Sequence, residues 1–472
     1  MNKLFLKSSV LSISLLTVMA SAAISPALAK IFQAFPGVDP TLIKLVLTLP
    51  SLLIIPFSLF CGWLVKRVQK KYILLAGLVI YFAAGVGGAF AHTITQLLII
   101  RAIFGIGVGL IIPLSTSLIA DFYEGVERTK TMGYSGSVSH LGGVVFLLVS
   151  GWLACISWRL AFAVYGLSLL IFLMILFWLP EPQVKRPAGL VKSKLPFGVY
   201  ICALLGALMM IAFYAAPTNL AMFIENERQM YTSQTPLFKN KEELAVYLEK
   251  GAISEAARES FKNNGIMLSE RAKLALVEPG KSWTITDKGK KYVIRKAEGK
   301  LIISAEKMGR PGIAGYLLSA MTVVGVLSGI FLAQFMKRSG VYCASIAIFS
   351  MAVGYGVLGF TSSLSGVLVS MLCIGFSSGV LMPLLLLEVA KLAPDASRAF
   401  AMAVASVGVY LGQFLSPVIL KMVSNLAGKG DVFRQQFNFL AFGLFAATVI
   451  SLGIAIKNRK TGVAVDIQLP HH

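Results

Sequence analysis

Charged residues are scarce in this chain, and acidic residues are the scarcest of them. Only 14% of the 472 residues are Asp, Glu, Lys or Arg, whereas a soluble domain carries about 25%. The mean hydropathy is +0.79, and 57% of the residues are hydrophobic. A chain of this length with so little polar surface cannot be solvated as a soluble globule, so we expect it to lie in a lipid bilayer.

Cysteine is also rare, and its placement argues against metal or disulfide chemistry. The five cysteines lie within or at the ends of apolar stretches and form no CxxC pair; they are Cys61, Cys155, Cys202, Cys343 and Cys373. We expect most of them to act as small packing residues. No Walker motif occurs, so ATP hydrolysis is not expected. The sequence indicates neither a cofactor nor an enzyme.

Twelve apolar stretches are long enough to cross a bilayer as helices, which takes about 20 residues. They cover roughly residues 8–29, 41–65, 72–91, 95–120, 132–155, 159–179, 196–223, 312–336, 341–361, 365–391, 398–422 and 435–457. Most connections between them are short, which predicts antiparallel neighbours. The exception is residues 229–308, a long polar stretch between the seventh and eighth spans.

Lysine and arginine are distributed unevenly over the predicted loops. With both termini inside, the inner segments hold most of these residues and the short outer loops hold few. This asymmetry predicts a multi-pass protein of the plasma membrane with both termini in the cytoplasm. Topology and contact with anionic lipid then explain the net charge of +22 without nucleic-acid binding.

The N-terminal stretch LLTVMASAAISPALAK (15–30) has two interpretations. Lys3 and Lys7, a short apolar core and the sequence ALA together resemble a secretory signal peptide. If the stretch is not cleaved, it forms a first membrane helix instead. The flanking charges do not decide between the two, because removing one N-terminal helix would leave the orientation of all later helices unchanged.

An internal repeat favours the membrane helix. GIGVGLIIP (105–113) recurs as GFSSGVLMP (375–383) at an offset of 270. The prolines of SPALA (25–29) and APTNLA (216–221) lie 191 apart, and 270 minus the 80 residues of 229–308 is 190. SPALA is therefore the counterpart of a helix end in mid-chain. The predicted parts are a six-helix bundle at 1–179, a cytoplasmic linker at 180–195, a second six-helix bundle at 196–228 and 309–460, and a tail at 461–472.

Two six-helix halves of this kind are the layout of the major facilitator transporters, and several motifs resemble that family. GWLVKRVQKK (62–71) resembles its G-x-L-x-D-R-x-G-R-K signature, with Lys66 and Gln69 in place of the usual Asp and Gly. RAIFGIGVG (101–109) is similar to the pattern of its fourth span, and residues 119–133 and SWRLAF (157–162) also fit. The resemblance implies a secondary transporter of twelve helices, similar to the drug/proton antiporters.

Candidate gating and coupling residues are few, because no acidic residue lies at the centre of a predicted span. Asp121, at the inner end of span four, is expected near Arg67, where an ion pair would latch the inner gate; a plain interfacial charge fits equally well. His140 in span five is a candidate proton site because its reference pKa is near neutral, with a packing histidine as the alternative. Arg101 resembles the family's span-four arginine, with a buried charge capped by carbonyls as the alternative. Glu388 lies near the inner end of span ten.

Polar residues at the depth of a substrate cavity are also few. They are Ser115, Thr116, Tyr214, Asn219, Tyr410 and Gln413. A cavity so short of charge suits amphipathic or neutral organic solutes. We therefore expect proton-coupled efflux of a small amphipathic solute. The alternatives are a proton-coupled importer of a small organic solute, a lipid-handling carrier, and a membrane receptor that binds its ligand through residues 229–308.

The stretch 229–308 is predicted to be a small extracytoplasmic α+β domain. Two helices are expected at 241–250 and 254–263, each with a polar residue before it and a glycine beyond its end. Residues 282–306 alternate between apolar and polar types across two turns, which predicts a three-stranded meander. A cover over the outer mouth, a docking site for an extracytoplasmic partner and a neutral insertion all fit this domain. We expect the whole protein to be a monomer.

Overall fold

The structure, a computed structural model, describes two parts of the chain separately. The described residues are 3–181, 195–226, 311–361, 363–394, 398–427 and 432–460, together with the strand residues between 231 and 305. Compact packing divides the chain into one unit of Met1–Ala221 with Pro311–His472 and another of Met222–Arg310. In the described residues the first unit is helical, and the second contains a β-sheet.

The helices of the first unit follow the predicted spans closely. Before the insert they are α1 Lys3–Ala22, α2 Leu28–Ala34, α3 Pro40–Leu64, α4 Lys70–Gly87, α5 Ile94–Phe122, α6 Gly125–Ile156, α7 Leu167–Trp178 and α8 Phe197–Asn226. After it they are α9 Pro311–Ile330, α10 Leu332–Ser339, α11 Cys343–Phe360, α12 Leu364–Leu392, α13 Arg398–Ala427 and α14 Val432–Lys460. Short 3₁₀ turns join several of them, including Ser25–Ala27 before α2 and Leu160–Gly166 before α7.

Eleven helical stretches among the described residues are long and apolar enough to cross a membrane. The first predicted span differs from them, because the apolar part of α1 is the shorter stretch Leu6–Thr17. Even so, α1 packs inside the bundle against α5 and α6. Its residues Val10, Ile13 and Leu16 are completely buried. We call the end of the bundle where α1 begins the near side and the opposite end the far side.

The two halves of the helical unit repeat the same close contacts at the spacing found in the sequence. A Cβ on Gly105 would lie 2.6 Å from the Pro50 carbonyl oxygen of α3. Gly375, which is 270 residues later, faces the Met321 carbonyl of α9 in the same way. Small residues let membrane helices approach this closely. The repeat inferred from the sequence is therefore also a repeat of helix packing.

Two arginines repeat a second contact at the far side. The Arg159 guanidinium donates to the carbonyls of Ala89 and Ala91 at 2.6 and 3.0 Å. In the second half, Arg434 donates to the carbonyls at Gly359 and Thr361, each 270 residues later, at 3.2 and 3.3 Å. Each arginine thereby satisfies backbone acceptors that the end of a helix leaves free. The repeat thus extends to the helix ends.

The second unit contains an antiparallel sheet of five described strands in the order β1-β5-β4-β3-β2. The strands are β1 Tyr231–Ser233, β2 Lys273–Glu278, β3 Ser282–Asp287, β4 Lys290–Ala297 and β5 Lys300–Ala305. Strands β3 to β5 form the predicted meander, with Thr284 opposite Val293 and Ile294 opposite Ile303. The helices predicted at 241–250 and 254–263 lie outside the described residues.

Candidate functional site

A cavity of about 890 Å³ lies between the two halves of the helical unit. Helices α1, α3, α5 and α6 line it from the first half and α13 from the second. Its polar lining residues are Ser14, Thr17, Ser51, Ser58, Ser115, Thr116, Ser135, Ser139, Ser406, Tyr410 and Gln413. No charged side chain is among the described residues that line it. The cavity therefore offers hydrogen bonds and apolar surface, but no full charge.

Four of the six predicted cavity residues line this space. Ser115 and Thr116 lie on α5, just beyond the cavity-lining Pro113, while Tyr410 and Gln413 lie on α13. The Gln413 side-chain oxygen accepts a hydrogen bond from the Ser51 hydroxyl at 2.8 Å. This bond joins the two halves across the cavity and ties the lining of α3 to that of α13.

Tyr214 and Asn219 are not among the described residues that line this cavity. Tyr214 is buried against Met210 and Val409. Asn219 is completely buried, and neither its amide oxygen nor its amide nitrogen has a hydrogen-bond partner among the described residues. The Ser25 hydroxyl donates to the Pro217 carbonyl, so the last turns of α8 lie against the end of α1.

Sequence reasoning missed the serines on α1 and α6. The Ser14 and Ser135 hydroxyls lie 2.6 Å apart, and the Ser139 hydroxyl donates to the Ser14 carbonyl at 2.8 Å. Ser135 and Ser139 are four residues apart, which places them on one face of α6. The sequence contained this signal: two serines four residues apart lie on one face of a membrane helix, and polar residues inside a membrane helix usually face the bundle interior or a cavity.

The two halves meet at the far side, and an ion pair bridges them there. Asp39 caps α3 by accepting from the Thr41 backbone N–H at 2.8 Å, and its carboxylate pairs with Lys421 near the end of α13. A second contact on that side joins α6 to α9, where Gly315 packs on the Leu147 carbonyl. The cavity residues of α6 and α13 come from the near-side parts of those helices. The cavity is therefore closed at the far side and extends towards the near side.

The Asp39–Lys421 ion pair does not respond to pH near neutrality. The hydrogen bond from Lys421 holds the pKa of the Asp39 carboxyl below its ordinary value of 3.8, although partial burial opposes the shift. A carboxyl with a lowered pKa contributes stability above its unfolded pKa and loses it as the pH falls through the folded value. Asp39 thus stays ionised at every pH above 3.8. A physiological pH gradient does not release this contact.

On the near side, Asp121 pairs with Lys70 and not with Arg67, which corrects the predicted ion pair. The Lys70 ammonium lies 2.6 Å from the Asp121 carboxylate and 2.5 Å from the Ser117 hydroxyl. Arg67 is exposed and stacks over the Trp63 ring at 4.2 Å. The reason is the helix boundary: Arg67 lies in the turn between α3 and α4, whereas Lys70 begins α4 and faces α5.

Glu181 completes this near-side cluster. Lys70 and Lys71 are the first two residues of α4. The Glu181 carboxylate accepts hydrogen bonds from their backbone N–H groups at 3.0 and 3.1 Å. A carboxylate at a helix N-terminus satisfies free donors and is favoured by the helix dipole. Since Glu181 follows α7, the cluster links α4, α5 and the end of α7.

The family follows from the sequence comparison. The profile of the Major Facilitator Superfamily matches residues 10–245, which is half of the chain. The chain belongs to the Major Facilitator Superfamily. Because this family and the relatives described next are transporters, the expectation of a membrane transporter and not an enzyme is confirmed.

Relatives of this superfamily member include two bacterial proteins. Quinolone resistance protein NorA of Staphylococcus aureus is 28% identical over 157 residues, which cover 33% of this chain and 40% of NorA. Multidrug transporter protein MdtP of Bacillus subtilis is 30% identical over 115 residues, covering 24% of this chain and 21% of MdtP. The matches therefore span less than half the length of these relatives.

Solved structures agree with the superfamily fold along nearly the whole chain. A point mutant of the nucleoside transporter NupG has a TM-score of 0.66 at 12% identity, covering 96% of this chain and 99% of NupG. A D-xylose-proton symporter has a TM-score of 0.60 at 16% identity, covering 93% of this chain and 97% of the symporter. At such low identity, these similarities concern the fold alone.

Arg101, the superfamily's span-four arginine in this chain, is enclosed by protein and does not line the cavity. It is 0% exposed, and its Nε donates to the Val46 carbonyl at 2.8 Å. Both terminal nitrogens lie 3.3 Å from the Tyr165 hydroxyl, and the guanidinium lies 4.6 Å from the centre of the Phe104 ring. These contacts agree with a buried charge capped by carbonyl and aromatic groups. Of the two interpretations given for Arg101, the contacts in this conformation agree with the buried, capped charge.

The other two coupling candidates of this superfamily member differ in their surroundings. Glu388 is exposed on α12 and pairs with Lys391 at 3.0 Å on the same helix. Exposed pairs of this type contribute about 0.3–0.5 kcal/mol to stability. Glu388 is therefore a weakly paired surface residue in this conformation. His140 lies on α6 next to the cavity-lining Ser139. Its side chain lies outside the described residues.

Proposed function

We propose that this chain exports small amphipathic organic compounds across the plasma membrane by alternating access, with protons as the coupling ion. The uncharged, hydroxyl-lined cavity between the two halves carries this proposal. Its volume of about 890 Å³ falls in the range of about 300–1,000 Å³ that is typical of small-molecule sites. Scattered hydroxyls on an apolar wall suit solutes that combine apolar surface with a few hydrogen-bonding groups.

The direction of transport is proposed from topology and from the relatives. The distribution of Lys and Arg favours a cytoplasmic near side, with both termini there and α1 as the first of twelve spans. A cavity that extends towards the near side would then load from the cytoplasm, as export requires. The names of NorA and MdtP, which refer to quinolone resistance and multidrug transport, support the same direction.

The strands between 231 and 305 support a further part of the proposal, a separate extracytoplasmic domain. The unit Met222–Arg310 is compact in itself, and the strands described in it pair with one another in one sheet. Span seven runs outward in the proposed topology, so the domain would lie outside. We propose the bounds 229–308 for it, with the bundles at 1–179 and at 196–228 and 309–460. An extracytoplasmic partner would dock on this domain.

We expect Gln413→Leu to lower transport about tenfold, because a hydrogen bond lost in a buried site is worth about 1–3 kcal/mol. The substitution removes the bond from Ser51 and the amide from the cavity wall. The measurement is uptake into inverted vesicles of a quinolone and of the neutral probe N-phenyl-1-naphthylamine. The matched control is Gln436→Leu, since Gln436 is a buried glutamine that bonds to Ser424 and does not line the cavity. Equal losses in both variants, or a wild-type protein that moves neither compound, would contradict the proposal.

We propose His140 as the proton site, because the other candidates fit this role poorly. Arg101 is capped by protein groups, Glu388 is exposed, and Asp39 stays ionised near neutrality. A histidine titrates near pH 6.5, within the range over which a proton gradient acts. His140 follows the cavity-lining Ser139 along α6, which supports the proposal.

We expect His140→Gln to abolish most of the pH-gradient dependence of transport while leaving substrate binding within about twofold. The measurement compares the rate of solute uptake with and without an imposed pH gradient, and binding is followed separately by thermal shift. His92→Gln is the control, because His92 is exposed in the turn before α5. A variant whose dependence on the gradient equals that of the wild type would remove His140 as the proton site.

A further inference from the structure

Lys44 is a buried charge that neither the cavity nor the near-side cluster accounts for. It lies on α3, within a membrane-crossing stretch, and only 3% of it is exposed. Its ammonium lies 5.2 Å from the centre of the Phe433 ring on α14. Charges inside membrane helices are energetically unfavourable and are usually retained for a function.

The carboxylate that acts on Lys44 is Asp39, which already has a closer partner. Asp39 lies five residues earlier on α3, or about 7.5 Å along the helix axis. Its charge attracts Lys44 through space, but its ion pair is with Lys421 of α13. The Arg434 guanidinium on α14, a further cation at the far side, contacts backbone carbonyls at Gly359 and Thr361. Asp39 is therefore paired with one lysine and attracts a second through space.

The residues around Lys44 come from both halves of the helical unit, so a separation of the halves would change their contacts. Asp39 and Lys44 both belong to α3 in the first half, whereas Lys421 and Phe433 belong to the second half. A separation of the halves at the far side would remove Lys421 from Asp39 and Phe433 from Lys44 in one step. Asp39 and Lys44 would remain together, now in contact with water. The flexible four-carbon stem of lysine can carry its ammonium towards such a carboxylate.

We propose that Lys44 is the second partner of Asp39, which exchanges Lys421 for Lys44 when the far side opens. This inference rests on the alternating access proposed above. The exchange keeps the carboxylate paired in both conformations, so opening does not leave it as a lone charge at the membrane boundary. Lys44 and Lys421 then act in opposite directions. The Lys421 pair favours the closed far side, and the desolvated Lys44 ammonium disfavours it.

The test measures the far-side distance between spin labels at Leu42 on α3 and Met422 on α13. Both side chains are exposed, at 37% and 61%, and the labels are attached through genetically encoded amino acids that leave the cysteines unchanged. We expect Lys421→Met to raise the ratio of open to closed distances, and Lys44→Met to lower it, each by about fivefold or more. Lys391→Met is the control, because Lys391 is exposed on α12 at the near side and should leave the ratio unchanged.

A double-mutant cycle separates exchange from a simple penalty for burying Lys44. In the Asp39→Asn background, Lys44 has lost the carboxylate of the proposed open state, so Lys44→Met should change the ratio less than it does in the wild type. An equal change in both backgrounds would overturn the exchange, as would a ratio that Lys44→Met leaves unaltered or raises. A wild-type protein with a single far-side distance, whatever the solute or pH, would contradict alternating access itself and the exchange with it.

Discussion

Replacing Arg101 by alanine is expected to destabilise the folded protein by about 2–5 kcal/mol, because it leaves a large cavity and buried polar groups without a partner. The substitution would leave the Val46 carbonyl and the Tyr165 hydroxyl without their donor. It would also empty the space enclosed by Phe104 and Phe162. The measurement is the thermal stability of detergent-purified protein by size-exclusion chromatography after heating.

The control for this prediction is Arg67→Ala. Arg67 is exposed in the turn after α3 and contacts the Trp63 ring, so its removal should leave the thermal stability within about 0.5 kcal/mol. If Arg101→Ala kept the wild-type stability and lost transport, the structural role would be wrong. Arg101 would then act directly in coupling, as the superfamily resemblance implies.

Gly379→Ala is expected to destabilise the second half by at least about 1–3 kcal/mol, the typical effect of overpacking. A Cβ at this position would collide with the Gly325 carbonyl and the Ser328 hydroxyl on α9. A carbonyl belongs to the backbone and cannot rotate away, so α9 and α12 would have to separate. The same thermal assay in detergent measures the loss.

The chain offers two graded comparisons for Gly379→Ala. Gly109, the counterpart of Gly379 in the first half, would place a Cβ 2.9 Å from Phe57 and 3.1 Å from the Ile54 carbonyl, so Gly109→Ala should have a smaller effect. Gly443 has nothing within 4 Å, and Gly443→Ala should be neutral or slightly stabilising. An equal effect at all three positions would show that helix approach is not what these glycines provide.

The sequence predicted depth along the helices well, because motif spacing fixes how far along a span each residue lies. Offsets of 270 located Gly375 and Gly379, and both occupy the helix contacts of their counterparts. Depth also identified Ser115 and Gln413 as cavity residues. A glycine or a polar side chain inside an apolar span points directly to a close helix contact or to a cavity.

The rotation of each helix about its axis could not be predicted from the sequence, and Tyr214 and Asn219 show why. Tyr214 and Asn219 lie at a suitable depth on α8, but α8 is turned by its contacts with α13. There, Gly408 and Gly412 accommodate the Ala203 and Ala207 carbonyls of α8. Which face of a helix meets its neighbour depends on both partners, and a single sequence does not show that pairing.

Ion pairs between residues far apart in the sequence could not be predicted either. Asp39 and Lys421 are 382 residues apart, and no local pattern connects them. On the near side, Arg67 and Lys70 are only three positions apart, but this difference decides which side chain reaches Asp121. The boundary between the turn and α4 determines the outcome, and helix boundaries are the features that a sequence specifies least.

The pairing of the first and last strands of the β-sheet has a practical consequence for structure determination. β1 and β5 are antiparallel neighbours, so the first and last described strands of the domain run side by side, with Tyr231 and Ile303 at points about 5 Å apart. Only a few residues separate these points from the end of α8 at Asn226 and the start of α9 at Pro311. A rigid fusion partner with adjacent termini could therefore be grafted at the same two positions. With the domain outside the bilayer, as proposed above, such a graft would add a marker there for aligning single-particle images of a membrane-embedded protein.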